Sequence, residues 1–378
     1  MKNISAQKPK NAFGINDSLA LKGIAIVIMM FYHCFYEPER FQNYTVNFAP
    51  FGQDFVMQIS FSFKICVSLF AFISGYGLYL SAKNKCIGEK ATEKWVISRL
   101  IKTLSGFWFV YILVFIATQL YANLPYEVYC DDGLTRGIFF ALADFLGLAS
   151  ILKTPTILQT WWYMGAAIIF IALIPVIIKW IDKFGSISLL IVTVAGVRFA
   201  CGGYPGGMNA FAFILPLIFG LMFAKYNWFN KLDEARIFKN KYINGVVLFI
   251  LMSAIFVAGY YMFDRLQYTK YWEFHYGVYP VIVICFCKKY IIRIPVLDKI
   301  LAFFGKHSMN IFLIHTFIRH TFFADFIYSF KHFVLIAGVL FGISLAISVI
   351  VIEPLKKLVR FDKLMDKLSN KLCKVIGK

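Results

Sequence analysis

A chain of 378 residues that is 60% hydrophobic and only 16% charged has too little polar surface to cover a water-soluble body, since soluble domains carry about 25% charged residues. Its many apolar runs approach the roughly 20 residues that a helix needs to cross a bilayer core about 30 Å thick, so the expectation is an all-α, polytopic integral membrane helix bundle. The net charge of +19 does not point to nucleic acid, because the cations gather in alternate loops rather than in one basic domain.

The first predicted span, Leu19 to Tyr36, follows Lys2, Lys8 and Lys10 and lacks a small-residue cleavage site, so it is expected to stay as an anchor. Further spans are predicted at Phe61 to Ser81, Leu104 to Tyr121, Trp161 to Trp180, Ser186 to Ala200, Phe211 to Tyr226, Tyr242 to Phe263, Tyr276 to Cys287, Phe303 to Phe323 and Phe333 to Ile352. Helices are the choice because backbone groups in hydrocarbon must bond internally and the runs lack the alternating polarity of a barrel. Between the third and fourth spans, the stretch Ile138 to Ile151 is too short to cross and reads as a re-entrant or interfacial helix with Asp144 near the outer face.

The loops support about ten crossings. Lys and Arg collect in the N-terminus, residues 83–102, Lys179 with Lys183, and residues 225–241, 288–306 and 356–378. The intervening loops carry Glu37, Glu39 and Asp54, then Glu127, Asp131 and Asp132, then the uncharged turn 201–209. This alternation predicts both termini in the cytoplasm. Trp161, Trp162 and Trp272 near one face and Trp95, Trp180 and Trp228 near the other read as interfacial belts. With no long polar loop, residues 1–378 read as a single transmembrane domain in the cell membrane. The eight cysteines show no zinc spacing and read as small apolar side chains, a bridge between Cys130 and Cys201 staying open. The histidines His275, His320 and His332 show no ligand spacing either, so no metal is expected.

Ionisable groups inside a membrane are costly and mark function; here they are Lys22, His33, Lys64, Arg198, His315, Arg319 and Glu353. Lys22 and His33 are eleven residues apart, about three turns or ~16 Å along one helix face. A cation at the cytoplasmic mouth with a titratable base deeper on the same stripe suits a long donor with an anionic head. Equally, Lys22 snorkels to phosphates and His33 bonds a neighbouring carbonyl. His315 is predicted at a depth similar to His33. Lys64, near the outer end of the second span, either holds a sugar or carboxylate or snorkels. Arg198 and Asp144 either pair or line an acceptor groove, and Glu353 is placed to pair with Lys22 or Arg99. Ser74-Gly75 reads as helix packing, without the elbow of a serine nucleophile. The run Gly202 to Gly207 reads as a turn.

Several of these stretches carry a resemblance. The segment Leu21-Lys22-Gly23-Ile24-Ala25-Ile26 leading to His33 resembles the basic-x10-His signature of the acyltransferase-3 family of membrane O-acyltransferases. Val67-Ser68-Leu69-Phe70-Ala71-Phe72-Ile73-Ser74-Gly75-Tyr76-Gly77 is similar to its second-helix segment. Arg99-Leu100-Ile101-Lys102 is similar to its Arg-x-x-Arg element, Trp162-Tyr163-Met164 to its Trp-Tyr-Leu, Ser308 to His315 to its Ser-x-x-Ile-x-Leu-Ile-His segment, and Glu353-Pro354 to its Glu-x-Pro. Lys stands for Arg at 22 and 102, keeping charge but losing the planar fork that grips phosphate bidentately.

The resemblance implies acyl transfer from cytoplasmic acetyl-CoA, as co-substrate, to a hydroxyl of an extracytoplasmic glycan, most similar to members acting on capsular or exopolysaccharide. Lys22, Arg99 and Lys102 would attract the CoA phosphates, His33 would act as base or form an acyl intermediate, and His315 would orient it or steady the oxyanion. Lys64, Arg198, Trp162 and Tyr163 are the acceptor-side candidates. A glycan or lipid-linked sugar flippase shares the basic-mouthed bundle, and a succinyl donor fits within the same family, with Lys64 and Arg198 neutralising its extra carboxylate.

Overall fold

The computed structural model describes residues 13–86, 90–131, 133–266 and 270–376. Lys2, Lys8, Lys10 and Asp132 lie outside the described residues. The helices are α1 (Ile15–Phe35), α2 (Gln53–Ala82), α3 (Ala91–Ala122), the shorter α4 (Leu134–Phe145), α5 (Trp162–Phe184), α6 (Ser186–Ala200), α7 (Ala210–Tyr226), α8 (Lys241–Leu266), α9 (273–291), α10 (297–322), α11 (Phe333–Leu358) and α12 (Phe361–Ile376). Helix thus occupies all ten predicted segments, and no β-strand occurs among the described residues.

Six helices, α1, α2, α3, α5, α8 and α11, are long and apolar enough to cross a membrane, and α7 joins them when counted with the short helix Trp228–Glu234, bent from it by 68°. α6 has 15 residues, about 22 Å at 1.5 Å per residue, short of a ~30 Å hydrocarbon core. α9 and α10 are interrupted by π-helical turns at Glu273–Val278, Cys287–Ile291 and Phe317–Phe322. α8 shows most directly why the bundle needs lipid. Only 11% of its apolar window is buried, and Tyr242, Val246, Ile250 and Tyr261 stand exposed along it, an apolar surface that water would not tolerate.

Two close crossings set the interior. Gly23 of α1 faces the Leu301 carbonyl, and Gly305 of α10 faces the Leu19 carbonyl and the Gly23 amide, so neither position has room for a Cβ. α1 and α10 run parallel here, and removing both side chains lets the backbones touch. α2 and α7 repeat the device, with Gly75 against the Leu217 carbonyl and Gly220 against that of Phe72. Gly75 therefore does what its position beside Ser74 suggested. At one end of the bundle the basic connections are tied together: Lys225 pairs with Asp182, and Lys288 (2.5 Å) and Arg293 (3.5 Å) both pair with Asp233. That end is the basic end below.

Several expectations change. Trp161, Trp272 and Trp95 are buried in the protein rather than set in interfacial belts; their indoles fill gaps between helices. Cys130 and Cys201 are free thiols. The stretch 138–151 is not one helix, because α4 ends at Phe145 and Gly147, at φ +73°, turns the chain before a short helix at Ala149–Leu152. α2 begins eight residues before the predicted Phe61, at Gln53, which puts Lys64 well inside a helical segment instead of near its outer end.

Candidate active site

Lys22, Met29, His33 and Tyr36 follow one another on α1 at intervals of seven, four and three residues, which keeps them on a single helix face. That face lines a cavity of about 1080 Å³. α2 adds Lys64, Phe70 and Ser74, the first turn of α5 adds Trp162 and Tyr163, and α10 adds Ser308, Phe312, Thr316 and Arg319. Thr103 of α3 joins Lys22 on the side of the basic end, while Glu37, Glu39, Arg40, Gly207 and His320 line the opposite end. Between them Met29, Phe70, Met309 and Phe312 add apolar surface to walls that also carry Tyr32, Ser74, Tyr163 and Ser308.

His33 and His315 each lie ten residues beyond a crossing glycine, Gly23 or Gly305, so parallel packing brings them to one depth with ring centroids 4.9 Å apart and planes at 53°. Their environments differ. His315 is fully buried; its Nδ1–H donates to the Phe312 carbonyl at 2.8 Å, and its Nε2 accepts from the Thr316 hydroxyl at 3.2 Å. Both His315 nitrogens lie within hydrogen-bonding distance of these groups, and its ring stands behind that of His33 rather than among the cavity-lining residues. His33 is half-buried and lines the cavity. No group among the described residues hydrogen-bonds its ring, so its nitrogens are free for a ligand.

The stretch of chain leading into α5 is held by Asp144, a residue the sequence left between pairing with Arg198 and lining a groove. Asp144, buried, accepts hydrogen bonds from the Tyr129 hydroxyl (2.6 Å), the Thr156 hydroxyl (2.9 Å) and the Ile157 amide (3.0 Å). Trp161 donates its indole N–H to the Leu313 carbonyl at 3.0 Å. Together they fix residues 157–160, which line the cavity, against α10. Asp144 does not pair with Arg198. Arg198 is bound by Glu273 at 2.5 and 2.9 Å and stands outside the cavity lining. Glu353 pairs with neither Lys22 nor Arg99; it accepts from the Asn310 amide at 3.0 Å, and the same amide donates to Ser348 at 2.9 Å.

On the basic side, Arg99 lies one turn before Thr103 on α3 and donates to the Ser81 hydroxyl, which also accepts from the Trp95 indole at 3.0 Å. Its guanidinium is therefore anchored just below the cavity. Lys102 is exposed and does not line it. Lys64 reaches into the cavity, its Nζ close to Gly207 and 5.6 Å from the Tyr276 ring centre. Trp162 and Tyr163 line the cavity, and so does Ser74, which the sequence suggested only as helix packing. No cluster of three or more metal-ligating side chains occurs among the described residues.

The family model described as an acyltransferase domain matches residues 17–353. The chain belongs to the acyltransferase-3 family. The match runs from the first turn of α1 to Glu353, so it contains every cavity residue of this acyltransferase and leaves residues 1–16 and 354–378 outside it. No curated protein and no solved structure matches the chain. With its apolar helices, this acyltransferase is a membrane protein.

Proposed function

We propose that the protein transfers an acetyl group from cytoplasmic acetyl-CoA to a hydroxyl of an extracytoplasmic glycan of the capsular or exopolysaccharide class. One observation carries the reading: a single cavity is lined by Lys22 towards the basic end, by His33 beyond it and by loop residues at the far end. Assigning the basic end to the cytoplasm, the CoA phosphates meet Lys22 and Arg99, with Lys102 adding charge at the surface. The pantetheine arm follows the apolar side chains to His33, and the acceptor enters from the other side past Trp162 and Tyr163.

The step needs a base free of protein partners. His33 takes the proton of the acceptor hydroxyl as its oxygen bonds to the thioester carbonyl carbon, giving a tetrahedral intermediate. Collapse expels the CoA thiolate, which recovers the proton from the imidazolium and leaves as thiol. A neutral imidazole, ordinarily near pKa 6.5, suits this role at neutral pH. His315 holds the ring in place through the 4.9 Å contact.

His33→Ala should leave insertion and abundance unchanged and abolish acetylation. Proton NMR of the native glycan from the complemented deletion strain reads the outcome. O-acetyl signals at the wild-type level in that variant would remove the proposal.

A further inference from the structure

Arg319 is 2% exposed, lines the cavity, and has no hydrogen-bond partner for its Nε. Lys64, half-buried, lines the same cavity from α2. Its Nζ lies 5.6 and 5.9 Å from the ring centres of Tyr276 and Phe61, and no acidic side chain among the described residues is within ion-pairing distance of either cation. The rim differs. Arg40 already stacks on Tyr36, donates to its hydroxyl at 2.6 Å and pairs with Glu37 at 3.8 Å. The rim cation has a carboxylate partner; among the described residues the two deeper ones do not, Arg319 meeting only the hydroxyl of Tyr328.

A buried guanidinium without a counter-charge is costly, and it persists where a ligand supplies the missing anion. Arg319 is four residues beyond His315 on α10, about 6 Å further from the basic end. Lys64 sits against Gly207 of the turn between α6 and α7. Both cations therefore lie on the side of His33 away from Lys22. A group bound there belongs to whatever enters from the end opposite the CoA headgroup. Glu37 and Glu39, exposed at that rim, oppose a dianion and so disfavour a phosphate monoester.

We propose that Lys64 and Arg319 form a subsite for a carboxylate, and that the acceptor is an acidic glycan carrying this carboxylate on or beside the sugar that is acylated. The planar fork of Arg319 meets two carboxylate oxygens where a lysine meets one. The proposal rests on the acyl-transfer reading only in calling the bound molecule the acceptor. Its test therefore measures binding in the absence of transfer, and its outcome is separate from that of His33→Ala.

The purified full-length protein in nanodiscs is titrated by calorimetry with an oligosaccharide of glucuronic acid and with its carboxyl-reduced glucose counterpart of equal length. A second arm compares succinyl-CoA with acetyl-CoA, because the distal carboxylate of a dicarboxylic donor is the other source of the same anion. The acidic oligosaccharide should bind the wild type at least about tenfold more tightly than the neutral one, and Arg319→Gln should erase most of that preference. Lys64→Gln, at a less buried position, should reduce the preference without loss of fold, and Arg319→Lys should keep part of it. Equal affinity for the two oligosaccharides in the wild type overturns the proposal. So does a preference for succinyl-CoA that Arg319→Gln removes while glycan binding is unchanged, since the carboxylate would then belong to the donor.

Discussion

Replacing Gly305 with Ala puts a methyl group where α10 touches α1. The new Cβ would stand 2.7 Å from the Leu19 carbonyl carbon, closer still to its oxygen, and 3.0 Å from the Gly23 nitrogen. All three are backbone atoms, so no side chain can swing aside. The helices must part by about 1 Å or more, an overpacking strain of ~1–3 kcal/mol, offset in part by the ~1 kcal/mol that Ala gains over Gly within a helix. Stability should therefore fall only slightly. The rate should fall much further, because His33 and His315 both sit ten residues along from this contact, and a displacement near 1 Å in a reacting group costs about 100-fold. Turnover of acetyl-CoA with the native glycan, set beside the melting temperature in nanodiscs, separates the two effects. Gly338→Ala in α11, where a Cβ meets nothing within 4 Å, is the control and should change neither. A Gly305→Ala enzyme with wild-type turnover would show that the crossing does not govern the histidine pair.

Lys22→Ala should weaken acetyl-CoA binding by about tenfold and Lys22→Arg should restore it; equal affinities of all three proteins by calorimetry would remove Lys22 from the donor site. Asp144→Ala leaves the Tyr129 and Thr156 hydroxyls and the Ile157 amide without their acceptor, so stability should drop by roughly 3 kcal/mol or more, with Asp144→Asn intermediate; an unchanged melting temperature would contradict the latch. Arg198→Ala breaks only a partly exposed ion pair outside the cavity, a loss of about 0–1 kcal/mol, and should alter glycan acetylation less than twofold. A large fall in acetylation would put Arg198 on the acceptor side.

The helix segments were legible because hydrocarbon demands long apolar runs, and the α1 stripe because the interval between Lys22 and His33 is close to three whole turns. What the sequence hid depends on partners distant along the chain. For Arg198 and Asp144 charge alone left both a mutual pair and an acceptor groove open. The fold gives Arg198 to Glu273 and surrounds Asp144 with two hydroxyls and an amide. Glu353 invited a cation and found Asn310. His315 could be placed at the depth of His33 by counting, but only the Phe312 carbonyl and the Thr316 hydroxyl reveal that its nitrogens are occupied. Gly23 sat unremarked inside a motif, since a one-letter code does not say which backbone will press against it.

The apolar surface that Met29, Phe70, Met309 and Phe312 add between the two mouths has a physiological consequence. Apolar surface in a cavity holds water and hydrated ions less well than polar surface does, and in the proposed reaction the flexible thioester arm would cover it. A site that took its two reactants from opposite sides, as proposed, would thereby bring them together while admitting little of the ion-carrying water on either side.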